Sequence, residues 1–362
     1  MARARGWSCE ALEGLEGRLL LSGAGVATRS AEVRAAAQAR LPAPGLFIEP
    51  QAGRTPILRA IASARSQIRV GICNLSDPQV GDALIAAVSR GVRVRIIVDR
   101  ADYLAKPPEQ AEVARLLAAG VQVRLSNPVF PQSFPKYLLI DDRRAVVMTL
   151  CLVPLTFVNT REYGVVLADR GIIGGIGSVF ATDWANAAPP GRPTPPYNPT
   201  PSINDPRLIV APTNAIDRLS ALITGARGSL DLTSEIVDDP FLEGQLVAAV
   251  GRGVRVRLIA PQSARAGNDN LPSLLRLQAA GVQVHVTDVT DPPPGAIPHM
   301  HAKSIVADGR VAYLGSIDLD TTQTARDREL GLVLRDRSVV VPMRAQFRRD
   351  WATTLALVAP PS

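Results

Sequence analysis

The chain has 362 residues, a formal net charge of +7 and a pI of about 9.8; 46% of its residues are apolar and 4% aromatic. That length allows about two domains, and the apolar share excludes a disordered chain and can fill a sizeable core of Ala, Val, Leu and Ile, as in an α/β protein with buried strands. The basic balance suits phosphates, nucleic acid or an acidic membrane face, although scattered surface arginines would give the same charge without any partner.

In chain order, the first 22 residues start basic and end on Leu15-Glu16-Gly17-Arg18-Leu19-Leu20-Leu21-Ser22. The run is too short for an ordinary secretory apolar region. It resembles the LEPR-type leader of many exported bacterial proteins, which implies a place outside the cytoplasm or in the cell envelope. Residues 23–44 read as a spacer, so 1–44 form leader and spacer. Nowhere does an apolar run approach the roughly 18 residues of a membrane span.

From residue 45 the chain repeats itself. Leu46–Pro50 returns as Leu208–Pro212, and Ser89–Arg95 as Gly251–Arg257, both 162 residues on. Arg161–Leu167 returns as Arg328–Leu334, and Asp183-Trp184 as Asp350-Trp351, both 167 residues on. A Pro-rich stretch, 187–206, separates the copies and predicts an extended connector. The units are therefore 45–186 and 207–362.

Periodicity in the first unit predicts helices over 55–64, 80–90, 109–119 and 172–187. Strands are predicted over 67–73, 92–98, 121–125, 137–140 and 145–150. Helices between strands imply largely parallel, covered sheets. The expected fold is α/β: two fused α/β/α units related by a pseudo-twofold axis, with a site at their seam. The three cysteines fit no zinc spacing. Cys73 and Cys151 read as small hydrophobes, with a disulfide allowed but not required.

The chemistry concentrates late in the second unit. His301-Ala302-Lys303 is followed by Asp308, Gly315-Ser316, Asp318 and Glu329. This H-x-K-x4-D pattern, with its downstream Gly-Ser and Glu, resembles the phospholipase D superfamily, close to its cardiolipin-synthase-like bacterial members. The resemblance covers about residues 45–355. It implies a metal-free and cofactor-free cleavage of phosphodiester bonds. His301 would attack phosphorus and form a phosphohistidine, and Glu329 would hold its other ring nitrogen. Lys303 and Ser316 would hold phosphate oxygens. Asp308 would brace the turn behind the motif, with Gly315 and Asp318 supporting. Asp318 and Asp327 stand where that superfamily commonly has Asn. A metal site from His285, His299 and His301 is a weaker reading; His299 is expected beside the pocket and His285 at a strand end.

The 167-residue offset maps His301 to Phe134, Lys303 to Lys136, Asp308 to Asp141, Ser316 to Thr149, Asp318 to Cys151 and Glu329 to Glu162. The first copy thus keeps Lys136 and Thr149 as phosphate-binding candidates, and Asp141 and Glu162 as supports, but lacks the second histidine that would act as acid and base. Three readings stay open: a phosphodiesterase with a substitute acid, for which Glu162 is the candidate; a pairing of two chains; or a phosphate-binding module without turnover. Export favours a phospholipid over nucleic acid as substrate, with peripheral contact to an anionic membrane, and the internal duplication favours a monomer.

Overall fold

A computed structural model describes residues 44–358 apart from 199, 264–268, 288–294, 296 and 298; the leader lies outside the described residues. The first unit runs β1 (Gly45–Glu49), α1 (Thr55–Ser63), β2 (Gln67–Ile72), α2 (Pro78–Ser89), β3 (Arg93–Val98), α3 (Arg100–Ala105), α4 (Pro107–Ala118), β4 (Gln122–Leu125), β5 (Tyr137–Ile140), β6 (Arg144–Met148), α5 (Thr156–Asn159), β7 (Thr160–Leu167) and α6 (Arg170–Asn186). The second runs β8 (Leu208–Ala211), α7 (Ala215–Gly225), β9 (Ser229–Thr233), α8 (Pro240–Gly251), β10 (Arg255–Ala260), α9 (Leu271–Ala279), β11 (Gln283–Val286), β12 (His299–Met300), β13 (Lys303–Ala307), β14 (Val311–Gly315), α10 (Thr321–Ala325), β15 (Glu329–Leu334), α11 (Arg337–Thr353) and β16 (Leu355–Ala356).

Local chemistry repeats with the sequence. Asp77 caps α2 by accepting the Gln79 and Val80 N–H groups, and Asp239 caps α8 by accepting those of Phe241 and Leu242. In each case Pro follows as the first helical residue, where no N–H is needed. Both helices end in an Arg-Gly-Val turn, with Gly91 at φ 84° and Gly253 at φ 83°. Glycine enters that left-handed region without a Cβ clash.

Each unit builds an eight-stranded sheet: β1-β7-β6-β5-β2-β3-β4, to which β12 adds through β7, and β16-β11-β10-β9-β13-β14-β15-β8. Among strands of one unit, the expected largely parallel pairing holds only for β2-β3-β4 and β9-β10-β11, where helices separate the strands. From β5 to β1 and from β13 to β8 neighbouring strands are antiparallel. The reason is connection length: a turn at Asp141–Arg143 can return the chain only as a hairpin, since a parallel crossover needs a dozen or more residues.

Three apolar cores result. One lies within each unit, and the third is shared, combining Tyr137, Val165, Ile176 and Phe180 of the first unit with Leu208, Met300, Leu330 and Phe347 of the second. The shared core fuses the halves. Reciprocal ion pairs close its two ends: Arg161 reaches Asp350 at 2.9 Å, and Arg328 reaches Asp183 at 3.3 Å. All four side chains are largely buried. Each half thus supplies one arginine and one aspartate, as a pseudo-twofold seam requires. The backbones also join across it: β12 pairs with β7 in parallel register, and Phe134 N–H donates to Arg328 O at 2.8 Å.

The Pro-rich connector is pinned rather than free. Tyr197 Oη donates to Asp183 at 2.9 Å and its ring packs edge-on to Phe130, while Asn127 Nδ2 donates to Pro195 O at 2.8 Å. Cys73 and Cys151 are joined as a disulfide across 78 residues of sequence.

Candidate active site

The site lies at the seam, on the edge where β2, β3, β9 and β10 end. His301 precedes β13 and Lys303 opens it. Their spacing of two puts both side chains on one face of an extended segment, while Ala302 between them turns into the shared core. The His301 side chain keeps 17% of its surface exposed, so the ring is held but reachable.

His301 Nδ1 is bound by Glu162, a fully buried residue of β7 in the other unit. This corrects the expectation that Glu329 holds the ring. The cause is the parallel pairing of His299 with Thr160 and of Met300 with Arg161, which lays the histidine of one motif against the glutamate of the other. Glu329 is also fully buried, within β15.

The assignment of Glu162 as a substitute acid fails for the same reason. Burial alone would raise its pKa, but His301, Lys303 and Lys136 outweigh burial and leave it below the ordinary carboxylate value. It therefore stays ionised near neutrality and accepts hydrogen bonds. Thr149 Oγ1 donates to its other oxygen, and Thr160 Oγ1 donates to Oε1 at 3.2 Å. His301 is shifted down from 6.5, first by burial, with Lys303 and Lys136 adding to that and Glu162 and Glu235 opposing it. A neutral imidazole donating from Nδ1 to an ionised carboxylate satisfies both shifts and leaves the Nε2 lone pair for chemistry.

Two of the expected phosphate ligands are committed elsewhere. Ser316 Oγ donates to Leu330 O at 3.1 Å and accepts from Leu330 N–H at 3.0 Å. Its one proton therefore ties β14 to β15. Thr149 uses its proton on Glu162 and accepts from Tyr163 N–H at 3.0 Å, the matching contact in the first unit. Neither hydroxyl is placed as a phosphate donor. Gly315 faces the backbone of Gly331 so closely that a Cβ would lie 2.4 Å from its Cα.

The lysines differ from each other. Lys136 Nζ donates to Thr149 O at 3.0 Å. Lys303 Nζ donates to His301 O at 2.7 Å and to Glu235 Oε2 at 2.8 Å, and stands 3.6 Å from Asp318. Both are buried ammonium groups close enough to perturb His301. Asp308 and Asp141 sit at φ 53° and gather backbone N–H groups, Arg227 to Ser229 and Arg65 to Gln67 respectively. Each braces the turn behind its motif. Asp318 Oδ1 accepts from Ser234 Oγ and from the Glu235 and Ile236 N–H groups. Those donors offset the charge that Asp carries in place of Asn. Asp327 accepts from Gln132 N–H at the seam.

Glu235 was not anticipated. It follows β9, its Oε2 lies 3.3 Å from His301 Nε2, and its Oε1 lies 3.6 Å from His299 Nε2. The signal was present in the repeat: an offset of 162 aligns Glu235 with Cys73, and 167 aligns Asp318 with Cys151. The disulfide of the first unit occupies the place of this acidic pair. His285 lies away from these groups, stacked on Trp351 at 3.6 Å between centroids. Among the described residues no His, Cys, Asp and Glu cluster has a metal-holding arrangement. Phe134 is buried, with no proton to give.

The arrangement can do one thing well. It presents a ring nitrogen, oriented by a carboxylate, in a site where buried ammonium groups and carboxylates stand side by side.

Known proteins resemble this chain in sequence and in fold. The chain matches the family described as "Cardiolipin synthase, PLD-like domain" over residues 57–184 and again over 219–351. The mitochondrial cardiolipin hydrolase of Homo sapiens is 33% identical over 138 residues, 38% of this chain and 51% of that protein. Cardiolipin synthase A of Pectobacterium carotovorum is 26% identical over 316 residues, 77% of this chain and 63% of that one. The chain thus spans about half the length of the hydrolase relatives it matches. In fold alone, phosphatidylserine synthase of Haemophilus influenzae superposes with a TM-score of 0.65 at 13% identity, over 91% of this chain and 92% of that one. The family matches once in each unit and over well more than half of the chain: the chain belongs to the cardiolipin synthase-like, phospholipase D-like family.

Proposed function

We propose that the protein is a phosphodiesterase that cleaves a phospholipid through a covalent phosphohistidine at His301. The observation that carries this is the His301–Glu162 pair: a half-buried imidazole fixed at Nδ1, with Lys303 Nζ on the His301 carbonyl and Nε2 and Nζ both next to Glu235 Oε2. Nε2 forms the N–P bond as the P–O bond to the leaving group breaks. The leaving oxygen takes a proton from water, since Phe134 supplies none. A second water then attacks phosphorus, its proton passing to the hydroxide left by the first, the N–P bond breaks, and His301 returns to its starting form. The names of the family and of its members, which concern cardiolipin and phospholipase D, support a phospholipid as the diester. Lys136 and Lys303 are the groups for the phosphate charge, and a monomer suffices because the first unit already covers the site.

Export fits the same reading. A disulfide persists in oxidising compartments and is rare in the cytosol, and Cys73–Cys151 supports a location in the envelope or outside the cell.

The test is turnover by the full chain of a phospholipid panel and an aryl phosphodiester, in EDTA, beside His301→Ala. The expected result is turnover lost in the variant, with a phosphoryl group on His301 of the wild type by mass spectrometry. Turnover that survives His301→Ala would overturn the mechanism. A second reading rests on Phe134 in place of an acid–base histidine: a phosphate-binding protein without turnover. Ligand binding with no product from any substrate would establish it.

A further inference from the structure

The most informative residue outside the motif is Glu235. The first unit has disulfide-bonded Cys73 at this position. In the second unit a carboxylate stands against the atoms that would receive a phosphate. Its Oε2 is 2.8 Å from Lys303 Nζ and 3.3 Å from His301 Nε2. The side chain is only 6% exposed, so water screens it little. A phosphodiester seated between Nε2 and Lys303 takes over this place or lies directly beside it.

Charge then decides what can bind. Glu162, Glu235 and Asp318 surround His301 and Lys303, against the ammonium groups of Lys303 and Lys136. With His301 neutral, these groups carry one excess negative charge before any substrate arrives. A purely anionic diester adds a second, and each close pair of like charges in a poorly screened site is strongly unfavourable. A carboxylate pushed off its lysine also needs a new partner, because a buried unpaired charge is costly. A substrate that carries its own cation near the phosphodiester supplies that partner.

Resting on the phosphodiesterase reading above, we infer that Glu235 selects phosphodiesters bearing a cationic group next to the phosphate, the amino-alcohol head groups, over purely anionic ones. In this role Glu235 is a specificity residue. Its counterion is Lys303 in the empty site and the head-group ammonium in the occupied one.

The experiment compares phosphatidylethanolamine with phosphatidylglycerol in neutral detergent micelles, for the full-chain wild type and Glu235→Gln. Bis(p-nitrophenyl) phosphate serves as a small diester with no cation. The wild type should favour phosphatidylethanolamine by about tenfold or more in kcat/KM, and Glu235→Gln should bring that ratio close to one, mainly by gaining on phosphatidylglycerol. The aryl diester should also be turned over faster by the variant. Wild-type preference for phosphatidylglycerol, or a ratio that Glu235→Gln leaves in place, would sink the inference while the phosphodiesterase reading stands. So would a folded Glu235→Gln protein that loses all three substrates, because Glu235 would then belong to proton transfer. If the wild type turns over nothing, the phosphodiesterase reading fails by itself. Calorimetric binding of glycerophosphoethanolamine against glycerophosphoglycerol then reads the same selectivity directly, with equal affinities overturning it.

Discussion

The two units share one backbone plan, and the differences that bear on the site lie at the seam. Lys136 and Lys303, Asp141 and Asp308, and Glu162 and Glu329 match in kind; Phe134 faces His301 in the alignment, and a disulfide replaces the Glu235–Asp318 pair. The first unit therefore looks like the spent half of a duplication. The geometry says otherwise, because its Glu162 holds the histidine of the second unit. With Phe134 where the second motif has histidine, the first unit still forms part of the site.

The sharpest way to break that comparison is to separate the two glutamates. Glu162→Gln should cut kcat by about 10²- to 10⁴-fold with folding retained, as loss of the orienting carboxylate does in a catalytic triad. Glu329→Gln should cost far less. Because Glu162 raises the His301 pKa, its removal should also move the acid limb of the kcat/KM profile to lower pH, a shift that a merely structural glutamate would not produce. Equal losses in the two variants would return the orienting role to Glu329. Next in size, Phe134→His restores a proton carrier to the first motif. It should raise turnover by about 10- to 100-fold, read as product release from the aryl diester.

The remaining tests concern stability. Replacing Cys73 and Cys151 together by Ala should cost about 2–4 kcal/mol in denaturant unfolding, since the bond closes a long loop; a smaller effect on turnover would separate scaffold from site. The least effect comes from Glu49, which lies opposite Glu162 on β1 and whose carboxyl is raised to about 8, first by burial, with the Gly53 N–H opposing and Glu162 adding. Its folded pKa exceeds its unfolded value of 4.5, so the stability it contributes is complete below about 4.5 and lost as pH rises through about 8. Thermal melts from pH 5 to 9 should fall less steeply in Glu49→Gln.

Much of this was legible in the sequence. The 162- and 167-residue offsets gave two units, and periodicity placed the main helices and strands of the first. His301, Lys303 and Asp308 could be read because their spacing is fixed within one hairpin. What stayed hidden depends on partners distant in sequence. Both glutamates follow their motifs at the same distance, so no spacing distinguishes Glu162 from Glu329 as the partner of His301; only the β12–β7 register does. Ser316 and Thr149 carry hydroxyls that suit phosphate, and their commitment to β15, Glu162 and Tyr163 appears only once the strands pair. The pinned connector likewise follows from tertiary contacts.

The short strand β12 carries a consequence for how this gene can change. Its hydrogen bonds belong to the sheet of the first unit, while its next residue is His301 of the second. A stop codon in the connector, or a recombination that exchanged either half for a relative's, would part that histidine from its carboxylate. Viable chimaeras should therefore be those that carry β7 and β12 together, and a mutational scan should find Glu162 and Thr149 as intolerant as His301, while Phe134 accepts other apolar residues.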